Sequence, residues 1–232
     1  RAGLPSSVEY LKKFDCLMIG ASSTSGEDFT REQASAIEAF ISEGGSVIIF
    51  GGEGGFAGNS FCSELYRKIL PFSMDKPVEF LRGKSPVTYN KKLSGFSFSG
   101  NTMQILQGQN ELYVDSINIT GLLKPTSQSV FNATHEGRAV PLASFCRYGK
   151  GKIMAIATNT IWQWSRGGDA LSEIYGAFIR QSVRYLSGKE DSGGEFSVKW
   201  DKEFYRPGEE AVCLAYLTSM AIESGRRLSG SV

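Results

Sequence analysis

One histidine, His135, stands in the 232 residues, and the four cysteines at 16, 62, 146 and 213 form no C-x-x-C pair. A zinc site needs grouped histidine and cysteine ligands, which are wanting here. Four scattered thiols do not build a disulfide scaffold at this length, so they read as separate free cysteines. No apolar run approaches the roughly 18 residues of a spanning helix. The longest candidates are strand-sized, such as Cys16–Ile19 and Val47–Phe50, so direct membrane insertion by this stretch of chain is not expected. Charge of one sign is also missing. The 25 Lys and Arg against 24 Asp and Glu leave a net +1, without the electrostatic footprint of a nucleic-acid binder. The chain opens Arg1-Ala2-Gly3-Leu4-Pro5 with no initiator methionine or signal-like segment. That reads as an excised piece and leaves localisation unreadable from the ends.

With 41% hydrophobic, 21% charged and 12% aromatic residues, the composition is that of a chain that folds around a core. Phe14–Gly20 is a short apolar run closed by glycine and then a polar stretch, as for a buried strand leading into a loop. Thr30 and Gln33 have the spacing of a capping box. Ala34, Ile37, Phe40 and Ile41 recur on one helical face, and Gly44-Gly45 supplies a stop. Ser46–Phe50 is a second β-rich run, so residues 14–50 read as a βαβ unit with parallel strands.

A glycine cluster, Gly51-Gly52-Glu53-Gly54-Gly55-Phe56-Ala57-Gly58, separates the second strand from a helix over 60–69, where Phe61, Leu65 and Ile69 share a face before Pro71. Residues 77–145 are rich in Ser, Thr, Asn and Gly, with alternating stretches at Gly95–Ser99 and Glu111–Thr120, which favours strands and loops. Val140–Arg147 and Lys152–Thr158 flank a hairpin turn, Tyr148-Gly149-Lys150-Gly151. A last helix runs over 169–186, stopped by Gly188. Residues 188–194 form a polar, glycine-containing linker. Beyond it, Phe196–Trp200, Tyr205–Glu209 and Ala211–Leu217 read as strand, turn, strand. Two strands bury no core alone, so 195–232 is expected to be a partial β-sandwich segment or an extension.

The order of these motifs carries a resemblance. Leu4-Pro5-Ser6-Ser7 precedes the first strand, Glu43-Gly44-Gly45 ends the first helix, and Phe50-Gly51-Gly52 ends the second strand. Arg147-Tyr148-Gly149-Lys150-Gly151-Lys152 and Ile161-Trp162-Gln163-Trp164 follow. Together they resemble the class I glutamine amidotransferase-like domains of large bacterial membrane-anchored proteins, which often accompany a von Willebrand factor A-type domain and precede an immunoglobulin-like one. The resemblance covers most of residues 1–187. It implies a flavodoxin-like three-layer α/β sandwich with a mainly parallel central sheet and β-rich insertions. It also implies other domains of the same protein as partners, and a cell-envelope location for the full-length protein.

An active member would carry a nucleophilic cysteine in a G-x-C-x-G elbow and a histidine and glutamate after a later strand. Here Glu53 stands in the nucleophile's place, and the later position reads Thr158-Asn159-Thr160-Ile161. The triad is missing at both ends, so no catalytic residue and no cofactor is assigned. Cys62, inside the 60–69 helix, reads as a packing thiol. His135-Glu136 lacks the second histidine of H-E-x-x-H and reads as a solvated loop pair. Gly52-x-Gly54-x-x-Ala57 satisfies the loose dinucleotide pattern in the wrong context, with no prompt helix and no acidic residue at the right distance.

The candidate ligand-binding residues are Glu53, Gly52, Gly54, Asn159, Trp162 and Trp164. Glu53 would sit at the carboxyl end of a parallel strand, where open α/β sheets bind ligands, or would cap the next helix. Trp162 and Trp164, alternating on an extended segment, would face one side and stack on a glycan or protein, or anchor the last helix. Arg147, Lys150 and Lys152 read as a solvated turn. Asn118-Ile119-Thr120 and Asn132-Ala133-Thr134 match the glycosylation pattern, without weight in a bacterial setting. The leading expectation is a non-catalytic ligand-binding or protein-interaction module. The alternatives are a hydrolase using Glu53 on an unidentified substrate, and a spacer domain without a ligand.

Overall fold

The computed structural model describes residues 5–20, 29–56, 60–74, 78–91, 93, 96–108 and 112–188, together with two further strands, 196–200 and 213–217. The Tyr205–Glu209 turn, Ala57-Gly58 and the 189–194 part of the linker lie outside the described residues. The chain divides into two compact units, Arg1–Gly188 and Lys189–Val232.

The first unit starts with a single helical turn, α1 (Val8–Leu11), capped by the Ser7 hydroxyl, and enters β1 (Cys16–Ile19). Helix α2 (Arg31–Ser42) begins at a complete capping box: the Thr30 hydroxyl accepts from the Gln33 amide at 3.2 Å, and the Gln33 side chain accepts from the Thr30 amide at 2.9 Å. Its apolar stripe of Ile37, Phe40 and Ile41 is buried. Strand β2 (Ser46–Phe50) and helix α3 (Ser60–Ile69) follow, then β3 (Glu79–Tyr89), α4 (Gly100–Gly108), β4 (Leu112–Ile119), β5 (Gln128–His135), β6 (Arg138–Tyr148) and β7 (Gly151–Ile156). A 3-10 helix, Ile161–Arg166, leads into α5 (Asp169–Leu186). In the second unit, β8 (Phe196–Trp200) pairs antiparallel with β9 (Cys213–Leu217).

The first unit's sheet has seven strands in the order β1-β2-β7-β6-β5-β3-β4. Side-chain alternation sorts its apolar residues into two cores. Val47, Ile49, Ile153 and Ala155 pack on one face with α2 and α3, while Ile48, Met154 and Ile156 face the other with Phe131 and the Phe178 stripe of α5. A period-2 pattern buried on both faces is the signature of strands covered by helices on either side.

The fold is mixed α/β, but the mainly parallel sheet expected from the βαβ start is corrected. Only β1–β2 and β2–β7 are parallel; the other four pairings are antiparallel. Parallel neighbours need a crossover of a dozen or more residues, whereas β5, β6 and β7 are joined by tight hairpin turns that force antiparallel pairing. Helix α4 is a second departure, arising in a stretch whose polar composition pointed to strands and loops. Gly95–Ser99 is a third. Phe96 and Phe98 are buried and Ser97 is exposed, as alternation predicts, but residues 96–99 form no ladder.

Two glycine motifs meet at one corner. The Lys150 amide donates to Ser42 O at 3.0 Å. A Cβ on Gly151 would lie 2.0 Å from Gly45 O and 2.4 Å from Ile41 O, and one on Gly149 would lie 2.6 Å from Ser42 Cα. The β6–β7 turn therefore docks main chain to main chain on the end of α2. Lys152 is not a solvated turn residue: its Nζ donates to Tyr185 O at 2.5 Å and lies 4.0 Å from the Tyr185 ring centroid. A cation there satisfies a terminal carbonyl of α5 and complements the helix dipole.

The antiparallel half is strongly curled. β4 is the last strand of the order, yet the Asn118 amide donates to Ala157 O at 2.8 Å, just beyond β7. The Asp115 amide donates to the Thr160 hydroxyl at 3.0 Å, and Trp164 Nε1 donates to Tyr113 O at 2.6 Å. Register shifts in β3 between Arg82 and Ser85, where Gly83 has φ +144°, and in β5 between Ser129 and Asn132 supply the coiling.

Candidate functional site

Where an open α/β sheet would hold a ligand, at the carboxyl ends of β2 and β7, this chain places its glycine cluster. The Gly51 amide donates to Ile156 O at 2.7 Å, prolonging the β2–β7 ladder, and Gly55 N then closes a turn on Gly52 O at 2.8 Å. Left-handed backbone at Gly54 (φ +72°) explains one glycine. Close approach explains two more: a Cβ on Gly51 would sit 2.2 Å from Asn118 Oδ1, and one on Gly55 would sit 2.5 Å from Gly52 N. Phe56 also has positive φ, +60°. Its buried ring packs edge-on against Phe72 at 5.3 Å and Tyr66 at 6.5 Å, and this packing offsets the conformational cost.

Asn118 closes the crevice from above. Its side chain accepts from Gly52 N at 2.7 Å and donates to Gly52 O at 3.0 Å, with the residue 1% exposed. Both main-chain groups of Gly52 are thereby occupied. Beside it, the Ser116 hydroxyl donates to Asn159 Oδ1 at 2.7 Å and lies 3.3 Å from each of the Thr158 and Thr160 hydroxyls, which are themselves 3.0 Å apart. These hydroxyls can hydrogen-bond, but none shuttles protons near neutral pH.

Glu53 points away from this cluster. It is 53% exposed, and its carboxylate pairs with Arg82 Nη2 at 2.5 Å, a residue brought to the elbow by the β3 bulge. The helix-capping alternative concerns the start of α3, which adjoins residues 57–59 outside the described residues. For a phosphate cradle, two loop amides, Gly52 and Gly55, are already donated to Asn118 and Gly52.

The structure brings Gly52, Gly54 and Asn159 to one end of the sheet but separates the tryptophans. Residues 161–166 are a 3-10 helix and not an extended segment, so Trp162 and Trp164 do not share a side. Trp164 is 3% exposed and anchors its helix to β4 through Tyr113 O, while Trp162 is 44% exposed with the Arg166 guanidinium 5.1 Å from its ring centroid. Cys62 is buried in α3 among Leu65, Tyr66 and Phe72, and its sulfur accepts from the Phe29 amide at 3.2 Å. Burial pushes the Cys16 and Cys146 thiols up to about 11, far from the depressed values of nucleophilic cysteines. His135 lies at the end of β5 in a tight hairpin, not in a loop: Glu136 and Gly137 turn with φ +48° and +73°. Its Nε2 is 4.0 Å from Glu136 Oε1.

Asn118, Ser116 and Arg82 went unread as site residues. A signal existed: Ser116 and Asn118 continue the inward parity of Leu112 and Val114. Asn118 was legible only as a glycosylation pattern, which its burial closes to a sugar on the folded chain.

No family model matches the chain, and no curated protein matches it by sequence. Solved structures do. A cytoplasmic protein from Salmonella typhimurium LT2 aligns with TM-score 0.57 at 18% identity, over 78% of this chain and 76% of that one. A second cytoplasmic protein from Salmonella typhimurium aligns with TM-score 0.56 at 13% identity, over 80% and 76%. A cold-adapted β-galactosidase from Rahnella sp. R3 aligns with TM-score 0.51 at 12% identity, over 82% of this chain but 26% of the enzyme. At these identities the likeness shows the mixed α/β fold alone.

Proposed function

We propose that residues 1–187 form a non-catalytic, flavodoxin-like domain of the class I glutamine amidotransferase-like kind. In this reading it serves as a ligand-binding or protein-interaction module of a larger, envelope-associated protein. The observation that carries the reading is the closed elbow. Acyl transfer needs a nucleophile aimed into the crevice and free amides for the oxyanion. Here Glu53 turns outward onto Arg82, and Asn118 takes both main-chain groups of Gly52.

The hydrolase alternative needs a carboxylate desolvated enough to act near neutral pH, whereas Glu53 is half exposed and ion-paired. The filled crevice is equally compatible with a spacer domain, and a binding site elsewhere on the unit is what separates the two readings. The test is a glutaminase and hydrolase substrate screen on the wild type and Glu53→Gln. No ammonia release from glutamine is expected. The substitution removes an exposed ion pair worth at most about 1 kcal/mol, so folding is preserved. A robust activity abolished by Glu53→Gln would make the enzyme reading correct.

A further inference from the structure

The curled antiparallel half has an open end. By strand direction, the start of β3, the end of β4, the end of β5 and the start of β6 lie together, and β4 also comes against β5 and β6. Between them lies a cavity of about 730 Å³, within the roughly 300–1,000 Å³ of small-molecule sites, which favour the mouths of barrels. The sequence explains the opening. The β3–β5 ladder stops at Val87↔Ala133, where continued register would set Pro86, which has no amide proton, opposite Thr134. The bulge at Gly83 then swings β3 away. β6 likewise outruns β7, whose pairing begins at Ala143, leaving Arg138–Leu142 ahead of it.

The lining has a consistent chemistry. Its walls are aliphatic, from Leu81, Ile119, Val140 and Pro141, and Leu122 stands at the entrance 85% exposed. Glu79, Glu136 and Arg138 are exposed lining residues that put both charge signs around that floor. Thr120 also lines the wall, its hydroxyl oxygen buried. The lining has no Phe, Tyr or Trp, its one aromatic ring being the His135 imidazole beside Glu136, and a single guanidinium, too little for a phosphate clamp. Among the described residues no three carboxylate, histidine or cysteine groups gather to hold a metal.

We propose that this mouth binds a short aliphatic peptide with free termini. Its side chains lie on the Leu81–Ile119–Val140 floor, its carboxylate meets Arg138, and its ammonium meets Glu136 or Glu79. The proposal rests on the binding reading but places the ligand beside the elbow instead of in it, with Asn118 joining the two. The test titrates the full chain with Leu-Leu-Leu, followed by calorimetry and by amide chemical shifts. Saturable binding with shifts at 119–122 and 138–140 is expected. Arg138→Gln, a C-amidated peptide and an N-acetylated peptide should each weaken it about tenfold. Leu122→Asp, at a site too exposed to affect folding, should weaken it at least as much. Absence of saturable binding overturns the proposal. So does binding indifferent to Leu122→Asp, or equal affinity for the doubly blocked peptide. A hydrolase activity lost in Glu53→Gln would sink the non-catalytic reading and leave this result standing, so the two failures are distinguishable.

Discussion

Replacing Asn118 by alanine tests how the crevice is closed. In the folded chain its carboxamide satisfies the amide and the carbonyl of Gly52, and both residues are buried. Deleting it orphans the Gly52 amide, at about 1–3 kcal/mol, whereas the Gly52 carbonyl loses one of two donors and keeps the Gly55 amide. Water entering the space vacated by the side chain would recover part of that, so the expected loss is about 2 kcal/mol. For a unit of this size each kcal/mol moves the thermal midpoint by about 2–4 °C, so a fall of roughly 4–8 °C should appear in thermal melts followed by circular dichroism. Hydrogen exchange gives a local readout: the Gly52 amide should lose protection while β6 and β7 keep theirs. Thr88→Ala is the control, since its hydroxyl makes only an exposed 3.5 Å contact with Asn132 O, and its change should stay within about 0.5 kcal/mol. A loss for Asn118→Ala as small as the control's would refute the idea that this side chain holds the elbow shut.

Gly151→Ala should abolish folding or cost more than about 3 kcal/mol in denaturant titration, because the new methyl meets backbone oxygens on two sides. An alanine tolerated there would mean the corner is loosely packed. Alkaline stability should depend on Cys146, whose thiol is raised from 9.0 to about 11 by burial. Below the unfolded value the folded and unfolded chains hold the same proton. Between about pH 9 and 11 the unfolded chain binds fewer protons, so stability falls as pH rises. Cys146→Ala should make that fall shallower and leave the share due to Cys16, whose thiol is raised alike, which a denaturation midpoint series from pH 8 to 11 measures. Trp164→Phe, losing the bond to Tyr113 O, should cost about 1–2 kcal/mol, whereas Trp162→Phe should leave the melting midpoint unchanged.

The helices were legible where local chemistry decides them. The Thr30–Gln33 box, the Ile37-Phe40-Ile41 stripe and the glycines after Glu43 each act within one or two turns, and α2, α3 and α5 form where that chemistry points. The hairpin at Gly149-Lys150 was readable for the same reason. The curl of the antiparallel half was not, because it depends on which distant strands pair and on two bulges, neither of which leaves a mark on local periodicity. Trp162 and Trp164 show the limit from another side. Spacing by two suggests an extended segment, but docking of the Trp164 ring under β4 favours a 3-10 turn and sends its neighbour outward. At the glycine turn after β2 the glycines and Glu53 could be read in line, while the residue that closes it, Asn118, sits 66 positions from Gly52.

The corner where Gly45, Gly149 and Gly151 interlock lies at the opposite end of β2 and β7 from the elbow, since Ser46 pairs with Lys152 there and Phe50 with Ile156 at the other end. These glycines belong to two of the motifs that carry the chain's resemblance to amidotransferase-like domains, and their constraint is steric. Such a corner is indifferent to catalysis, because the main chains must fit whether or not any chemistry is done. A resemblance carried by these motifs is thus a record of main-chain fit, and chains with and without a working site would carry it alike.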